Sequence, residues 1–299
     1  MDYLYSILIL VGIYVVLASS FNLIIGNAGL VSIAHPIFFA LGAYTAGLTA
    51  IHFGLHAIVA TLAGAVVAAL FSLMMSLPSL RVSGDYLMIT SIGFQLGLLQ
   101  VIKNVEFTGS QGGLSNIPTP VTGPYRGLVY SVVSLAIAAA VVWMIRWIVR
   151  GPYGRAITAM RDDELAFLAL GRDAMRIKIV IFAVGCGLAG IAGGLYAFYY
   201  QYVSPEQFEI LASAAMLTMV VVGGMGSTLG PVVGAVLLIA LPQAITFLEL
   251  PPGIMAPLQG MLFTLLVIVF MFIRPQGLIS PEGATPLPGH RHGNRSGPR

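Results

Sequence analysis

Charge is what this sequence has least of. Only 8% of its 299 residues are Asp, Glu, Lys or Arg, where a soluble domain carries about 25%. Cysteine is nearly absent: Cys186 stands alone in an apolar run, which excludes a disulfide or a cysteine-based metal framework within one chain. No G-x-x-x-x-G-K-[ST] phosphate loop and no H-E-x-x-H metal pair occurs, so neither ATP hydrolysis of that type nor zinc hydrolysis of that type belongs to this chain. The glycines of GGMGSTLG have no lysine to neutralise phosphate. The apolar runs hold no Asp-Asp or Ser-Lys pair at catalytic spacing, and the histidines do not converge. A membrane-embedded lipid enzyme, which needs a convergent acid, base or metal set, is therefore poorly supported. So is coupling to protons or sodium, which usually keeps Asp, Glu or His at mid-membrane. Asp85 is the one candidate, and the plainer reading is an acid at a helix start.

What is present is apolar sequence in long runs. Of all residues 58% are hydrophobic, and mean hydropathy is +0.94. No charged residue falls between positions 3 and 80, and further charge-free runs cover 127–145, 179–205, 210–248 and 250–273. Each is near or above the ~20 residues that an α-helix needs to cross a bilayer core. Their continuity, without alternation, disfavours a β-barrel. The opening residues MDYLYSILIL lack a basic n-region and a small-residue cleavage site, so the first run is expected to be retained.

The spacing predicts spans over residues 4–25, 26–47, 55–80, 84–103, 127–149 and 177–200, two joined tightly around 223–231, and a last over 254–273. The expected fold is an all-α polytopic membrane protein of about nine (8–10) transmembrane helices. One or two of them, at 26–47 and 223–234, are interrupted or re-entrant. Residues 104–126 read as a polar loop, and 281–299 as a disordered basic tail after a single domain over 1–280. If sides alternate with 150–178 inside, the inner set holds 12 Lys and Arg and the outer set holds 2, Lys103 and Arg126. That asymmetry places the N-terminus outside and the C-terminus in the cytoplasm.

Residues 146–178 hold 11 of the chain's 25 charged residues. Within RGPYGRAITAMRDDELAFLALGRDAMRIK (150–178), Pro152 fits the first turn of a helix reaching Arg161. Asp162 or Asp163 can cap a second short helix that Gly171 can end in the left-handed conformation. Leu165, Phe167 and Leu168 give it an apolar face too small to bury alone. An ordinary topogenic loop is one reading. A capped two-helix unit is more structure than topology needs, and it suits a docking knob for a partner's groove.

The two glycine segments echo each other: Gly29 precedes Pro36 by seven residues, and Gly224 precedes Pro231 by seven. Paired interrupted helices often mark a transport pathway. His35, beside Ser32 and Pro36, reads first as a neutral imidazole bonded to backbone freed by Pro36, and second as a substrate contact. Gly29, Gly42, Gly223, Gly224, Gly226 and Gly230 read first as packing positions and second as backbone lining a path. From the residues alone, a stand-alone channel or secondary carrier for a small polar solute remains open beside a partner-driven translocator.

Glu164-Leu165-Ala166 followed by Gly171 resembles the Glu-Ala-Ala…Gly coupling loop of ABC-importer permeases. The run GRAITAMRDDELAFLALG (154–171), then Lys178 and GLAGIAGGLYA (187–197), resembles the branched-chain amino-acid permeases, in particular the M-type subunit of the Liv system. FNLIIGNAGLVSIAHPIFFALGAYTA (21–46), GDYLMITSIGF (84–94), TGSQGGL (108–114), SPEQF (204–208), GGMGSTLGPVVGA (223–235) and RPQGL (274–278) follow in family order. The likeness covers roughly residues 20–280. Pro36 stands where the family usually has alanine and could bend its helix more than in relatives.

The resemblance implies a transport subunit of an importer, not an enzyme, in a bacterial or archaeal cytoplasmic membrane. A second, homologous permease would complete the pore, two P-loop ATPases would sit in the cytoplasm, and an extracytoplasmic binding protein would deliver substrate. No cofactor is expected on this chain, ATP being used by the partners, and no nucleic acid. Arg161, Asp162, Asp163, Glu164, Leu165, Ala166, Leu168 and Gly171 would couple it to the ATPases. Gly29, Ser32, His35, Pro36, Gly42, Gly223, Gly224, Gly226, Gly230 and Pro231 would line the path or break helices. The cargo implied is a branched-chain amino acid, though relatives also carry urea or short amides.

Overall fold

The computed structural model describes residues 2–79, 84–121, 123 and 125–246, together with 261, 265, 278 and 279. The described chain is helical almost throughout. Helix α1 (Asp2–Asn22) runs into a wider turn over Leu23–Asn27, and α2 is His35–Phe53. Then come α3 (Ala57–Ser79), α4 (Gly84–Asn104) and α5 (Arg126–Arg150). Two short helices, α6 (Pro152–Asp162) and α7 (Glu164–Ala169), precede α8 (Ala174–Tyr200), and α9 (Ile210–Gly223) and α10 (Gly230–Thr246) close the series.

Among the described residues six helices are long and apolar enough to cross a membrane: Tyr3–Asn27, His35–Phe53, Ala57–Pro78, Tyr86–Asn104, Arg126–Arg150 and Ala174–Tyr200. This is a multi-pass, all-helical membrane protein. Helices α9 and α10 are shorter; the 14 residues of α9 rise only about 21 Å, against a hydrocarbon core of ~30 Å. The expected last span at 254–273 lies outside the described residues apart from 261 and 265, as do the tail at 281–299 and Arg81.

The expected span over 26–47 is corrected. Helix α1 continues to Asn27, residues 28–34 break the helix, and α2 starts at His35. Pro36 therefore sits in a first turn, where its missing N–H costs nothing, and does not bend a helix from within.

Helix α8 is the hub, packing along α2, α3 and α1, while α1 also meets α5 and α10. Small residues permit the close approach. A Cβ on Gly42 of α2 would overlap the backbone of Gly190 in α8, and one on Gly193 would overlap Phe39 and Ala43. Between membrane helices such backbone-to-backbone contact replaces the missing hydrophobic drive. Helices α3, α4 and α5 turn apolar side chains such as Leu62, Val66, Ile89 and Val132 outward. Water would not tolerate so continuous an apolar surface, but a bilayer does.

At one end the loops tie together. Leu114 and Val203 exchange both backbone hydrogen bonds, at 2.8 and 3.0 Å. Tyr202 donates to the Gly112 carbonyl at 3.0 Å, and Lys103 pairs with Glu209 at 2.8 Å. Buried Gln95 of α4 donates to the Phe208 carbonyl and accepts from Ser213 of α9. The α6–α7 unit lies at the opposite end.

Candidate functional site

The α6–α7 unit forms as its residues dictate. Pro152 opens α6. Asp163, extended at φ −151°, is the cap of α7, its carboxylate accepting from Ala166 N–H at 2.9 Å. Asp162 is instead the last residue of α6, and its carboxylate lies 3.4 Å from Arg161. Gly171 ends the unit at φ +74°, a conformation costly for any residue with a Cβ.

The expected apolar face of α7 is divided. Phe167 turns inward and is buried, whereas Leu165 and Leu170 are 80% and 78% exposed and Leu168 is 47% exposed. One aromatic thus anchors α7 on the membrane domain while three leucines point away from it. Glu164 pairs with Lys178 in the first turns of α8, tying α7 to the hub helix.

The reach of Arg161 was not legible beforehand. Its Nη1 donates to the Gly26 carbonyl at 2.8 Å, inside the wide turn that ends α1. A Cβ on Gly29 would stand 2.8 Å from the Arg161 Cγ, and one on Gly226 would stand 3.7 Å from its Nη1. The arginine therefore lies across a joint between the end of α1 and the turn that separates α9 from α10.

Asn22 closes that joint. It is 1% exposed; its Oδ1 accepts from Gly226 N–H and its Nδ2 donates to the Ser227 carbonyl, both at 2.8 Å. Ser227 in turn caps α10, accepting from Gly230 N–H and donating to the Gly224 carbonyl, both at 2.9 Å. The N–H groups of Leu278 and Ile279 donate to the carbonyls of Val222 and Gly223 at 3.0 and 3.1 Å. Four separate stretches of chain so converge on one buried knot of backbone.

The two breaks match in form. Gly29 and Gly224 both take positive φ, +70° and +118°, and Pro36 and Pro231 each stand second in the helix that follows. Gly223 and Gly230 face each other closely enough that a Cβ on the first would overlap the second. Ser32 accepts from Ala34 N–H, and Ser91 of α4 accepts from Ile33 N–H at 2.9 Å, so the first break is held on both sides. Gly42 stands apart from this group, two turns into α2 against Gly190.

His35 is buried beside α1. The structure gives it the Ser20 hydroxyl, at 2.9 Å, as hydrogen-bond partner, instead of a carbonyl freed by Pro36. That hydroxyl also reaches the Leu17 carbonyl at 2.9 Å, and if its one proton is given there, His35 Nε2–H is the donor. Its ring stacks on Phe21 with centroids 4.8 Å apart. Among the described residues no group of three or more His, Cys, Asp or Glu could hold a metal ion.

Sequence reasoning missed Asn22, yet a signal existed: it is the one carboxamide in the first expected span, 4–25, and an amide in a membrane helix needs a partner. Nothing local could have paired it with Gly226, 204 residues away.

The model of a family described as branched-chain amino acid transport system / permease component matches residues 3–271. Over 294 residues the chain is 32% identical to the high-affinity branched-chain amino acid transport system permease protein LivM of Escherichia coli, covering 89% of this chain and 68% of that protein. It is 28% identical over 329 residues to the probable LivM of Methanocaldococcus jannaschii, covering 94% of each. It is also 25% identical over 159 residues to LivH of Escherichia coli, half of each chain. No solved structure gives a significant match. A family model spanning nearly all of the membrane domain, with the capped α6–α7 unit in place, makes this chain a member of the branched-chain amino acid transport system permease family, a transport subunit and not an enzyme.

Proposed function

We propose that this chain forms half of the translocation path of an ABC importer for branched-chain amino acids or related small solutes, and that α6–α7 receives the stroke of separate ATPases. The reading rests on one observation above all: the α6–α7 unit is bonded through Arg161 to the joint of two helix breaks. A topogenic loop would have no need of that bond. A push on α7 is transmitted by Phe167 and the Glu164–Lys178 pair to α8, and by Arg161 to the ends of α1 and α9. Opposed rocking of those elements would alternate access to the path.

In this reading Leu165, Leu168 and the α7 cap enter an ATPase groove, with Asp162, Asp163, Glu164, Ala166 and Gly171 shaping the knob. Gly29, Ser32, His35, Pro36, Gly223, Gly224, Gly226, Gly230 and Pro231 form the hinge region beside the path, and Gly42 sets helix packing. The N-terminus is outside and the C-terminus inside a bacterial or archaeal cytoplasmic membrane. About nine spans result when α9, α10 and the 254–273 run are counted. Similarity to both LivM and LivH supports a second, homologous permease as partner. An extracytoplasmic binding protein would meet the loops joined at Leu114 and Val203.

The test is to purify the tagged chain from its native membrane in a mild detergent, identify what accompanies it, and measure uptake by the reconstituted assembly. ATP-dependent uptake of leucine with two ATPases and a second permease present is the expected result. Transport by the chain alone, without nucleotide, would instead establish a self-sufficient carrier.

A further inference from the structure

The chain has two tryptophans, and both stand on one face at the α6 end of α5. Trp143 and Trp147 are 69% and 72% exposed. Arg146 and Arg150 alternate with them along the helix, and these four side chains with Gly151 enclose a recess of about 400 Å³. Arg146 makes no ion pair or side-chain hydrogen bond among the described residues.

A second recess, of about 390 Å³, adjoins the first and shares Trp147 and Gly151 with it. Its walls are apolar: Leu23, Ile148, Val180, Ile181 and Val184, with Pro152 and Tyr153 at the start of α6. A basic, aromatic pocket thus opens into an apolar slot between α5 and α8.

We propose that this paired recess binds an anionic phospholipid, its phosphate on Arg146 and Arg150 and an acyl chain in the slot. The chemistry argues for a lipid over a protein helix. Tryptophan suits a site that is apolar at one end and wet at the other. Arginine near a helix end meets phosphate geometry directly, and basic pockets between membrane helices take anionic headgroups. A polypeptide helix would fill the slot but would leave the Arg146 guanidinium without a counter-charge. The site lies beside the joint of α5 and α6, so a bound lipid would touch the root of the α6–α7 unit.

Because Trp143 and Trp147 are the chain's whole tryptophan content, selectively excited tryptophan fluorescence reports this site alone. The full chain, reconstituted in phosphatidylcholine bilayers, is titrated with phosphatidylglycerol carrying brominated acyl chains, and separately with brominated phosphatidylcholine. Half-quenching is expected at a several-fold lower mole fraction of the anionic lipid. Arg146→Gln should reduce that preference by about fivefold, the worth of one basic residue at an anionic surface. Arg172→Gln, at the α7–α8 connection, should keep it. Equal quenching of the wild-type chain by the two lipids would overturn the proposal without recourse to any variant. So would an undiminished preference in Arg146→Gln. Loss of the preference on adding inorganic phosphate would assign the arginines to a free anion and overturn the lipid.

Discussion

Arg161 and Gly26 are 135 residues apart in sequence and joined by one hydrogen bond of 2.8 Å, guanidinium to carbonyl. The bond links the most charged part of the chain to the least charged. It also satisfies a carbonyl at the end of α1, where the helical ladder has run out of partners.

That bond leads to the first prediction. A hydrogen bond to a charged group contributes about 1.5–3 kcal/mol, enough to shift a two-state equilibrium tenfold or more. Arg161→Ala should leave the chain inserted and the complex assembled, yet lower ATP-dependent uptake by roughly an order of magnitude. ATP hydrolysis should fall less, so the ratio of solute moved to ATP consumed drops. Arg161→Lys, which keeps the charge but not the forked geometry, should recover part of that ratio. An unchanged ratio in Arg161→Ala would remove this residue from the coupling route.

Asn22 holds two backbone groups at once, so its replacement strands both. Each unsatisfied buried group costs about 1–3 kcal/mol. Asn22→Leu should therefore lower the melting temperature of the purified chain by several degrees. Asn22→Asp keeps the acceptor for Gly226 N–H but sets a carboxylate against the Ser227 carbonyl, and should be worse than Asn22→Leu. If the two variants melt with the wild type, the 2.8 Å contacts do not hold the joint.

The limits of the sequence are visible at these same residues. Five of the expected spans, 4–25, 55–80, 84–103, 127–149 and 177–200, were legible because twenty apolar residues have one stable fate in lipid, and the α6–α7 unit because Pro152, Asp163 and Gly171 each carry a local rule. The expected start of α2 is nine residues early, since 28–34 is as apolar as a helix but is held as a break by contacts from α4 and α6. Apolarity says a segment is buried, not that it is helical. The joint itself is a matter of distant pairs: Asn22 with Gly226, Arg161 with Gly26. A single amino-acid sequence carries no mark of such pairs.

Two glycines of the same helical character should respond in opposite ways. A Cβ on Gly42 would overlap the Gly190 backbone, which cannot yield, whereas Gly93 of α4 has nothing within 4 Å of the position a Cβ would take. Gly42→Val should push α2 from α8 and cut the yield of folded protein severely, because overpacked backbone contacts cost several kcal/mol. Gly93→Val should be recovered at wild-type yield in detergent. Monodisperse yield on size exclusion checks both.

Glu164 and Lys178 carry the last prediction. Lys178 is 13% exposed at its side chain and Glu164 is 48% exposed, so their pair is partly screened and contributes only about 1 kcal/mol or less to stability. Its importance is positional, since it fixes the direction of α7 relative to α8. Glu164→Lys would place two cations together and put a positive charge on the first turn of α7, where the helix dipole disfavours it. Uptake should be lost while membrane insertion and melting temperature stay close to wild type. Glu164→Gln, which keeps the shape and the cap, should retain a substantial fraction of activity. The double exchange Glu164→Lys with Lys178→Glu restores the pair but keeps the wrong charge at the α7 start, so it should recover uptake only in part. Full loss in the double exchange would show that an ATPase reads the carboxylate itself, and wild-type uptake in Glu164→Lys would sink the coupling role of α7.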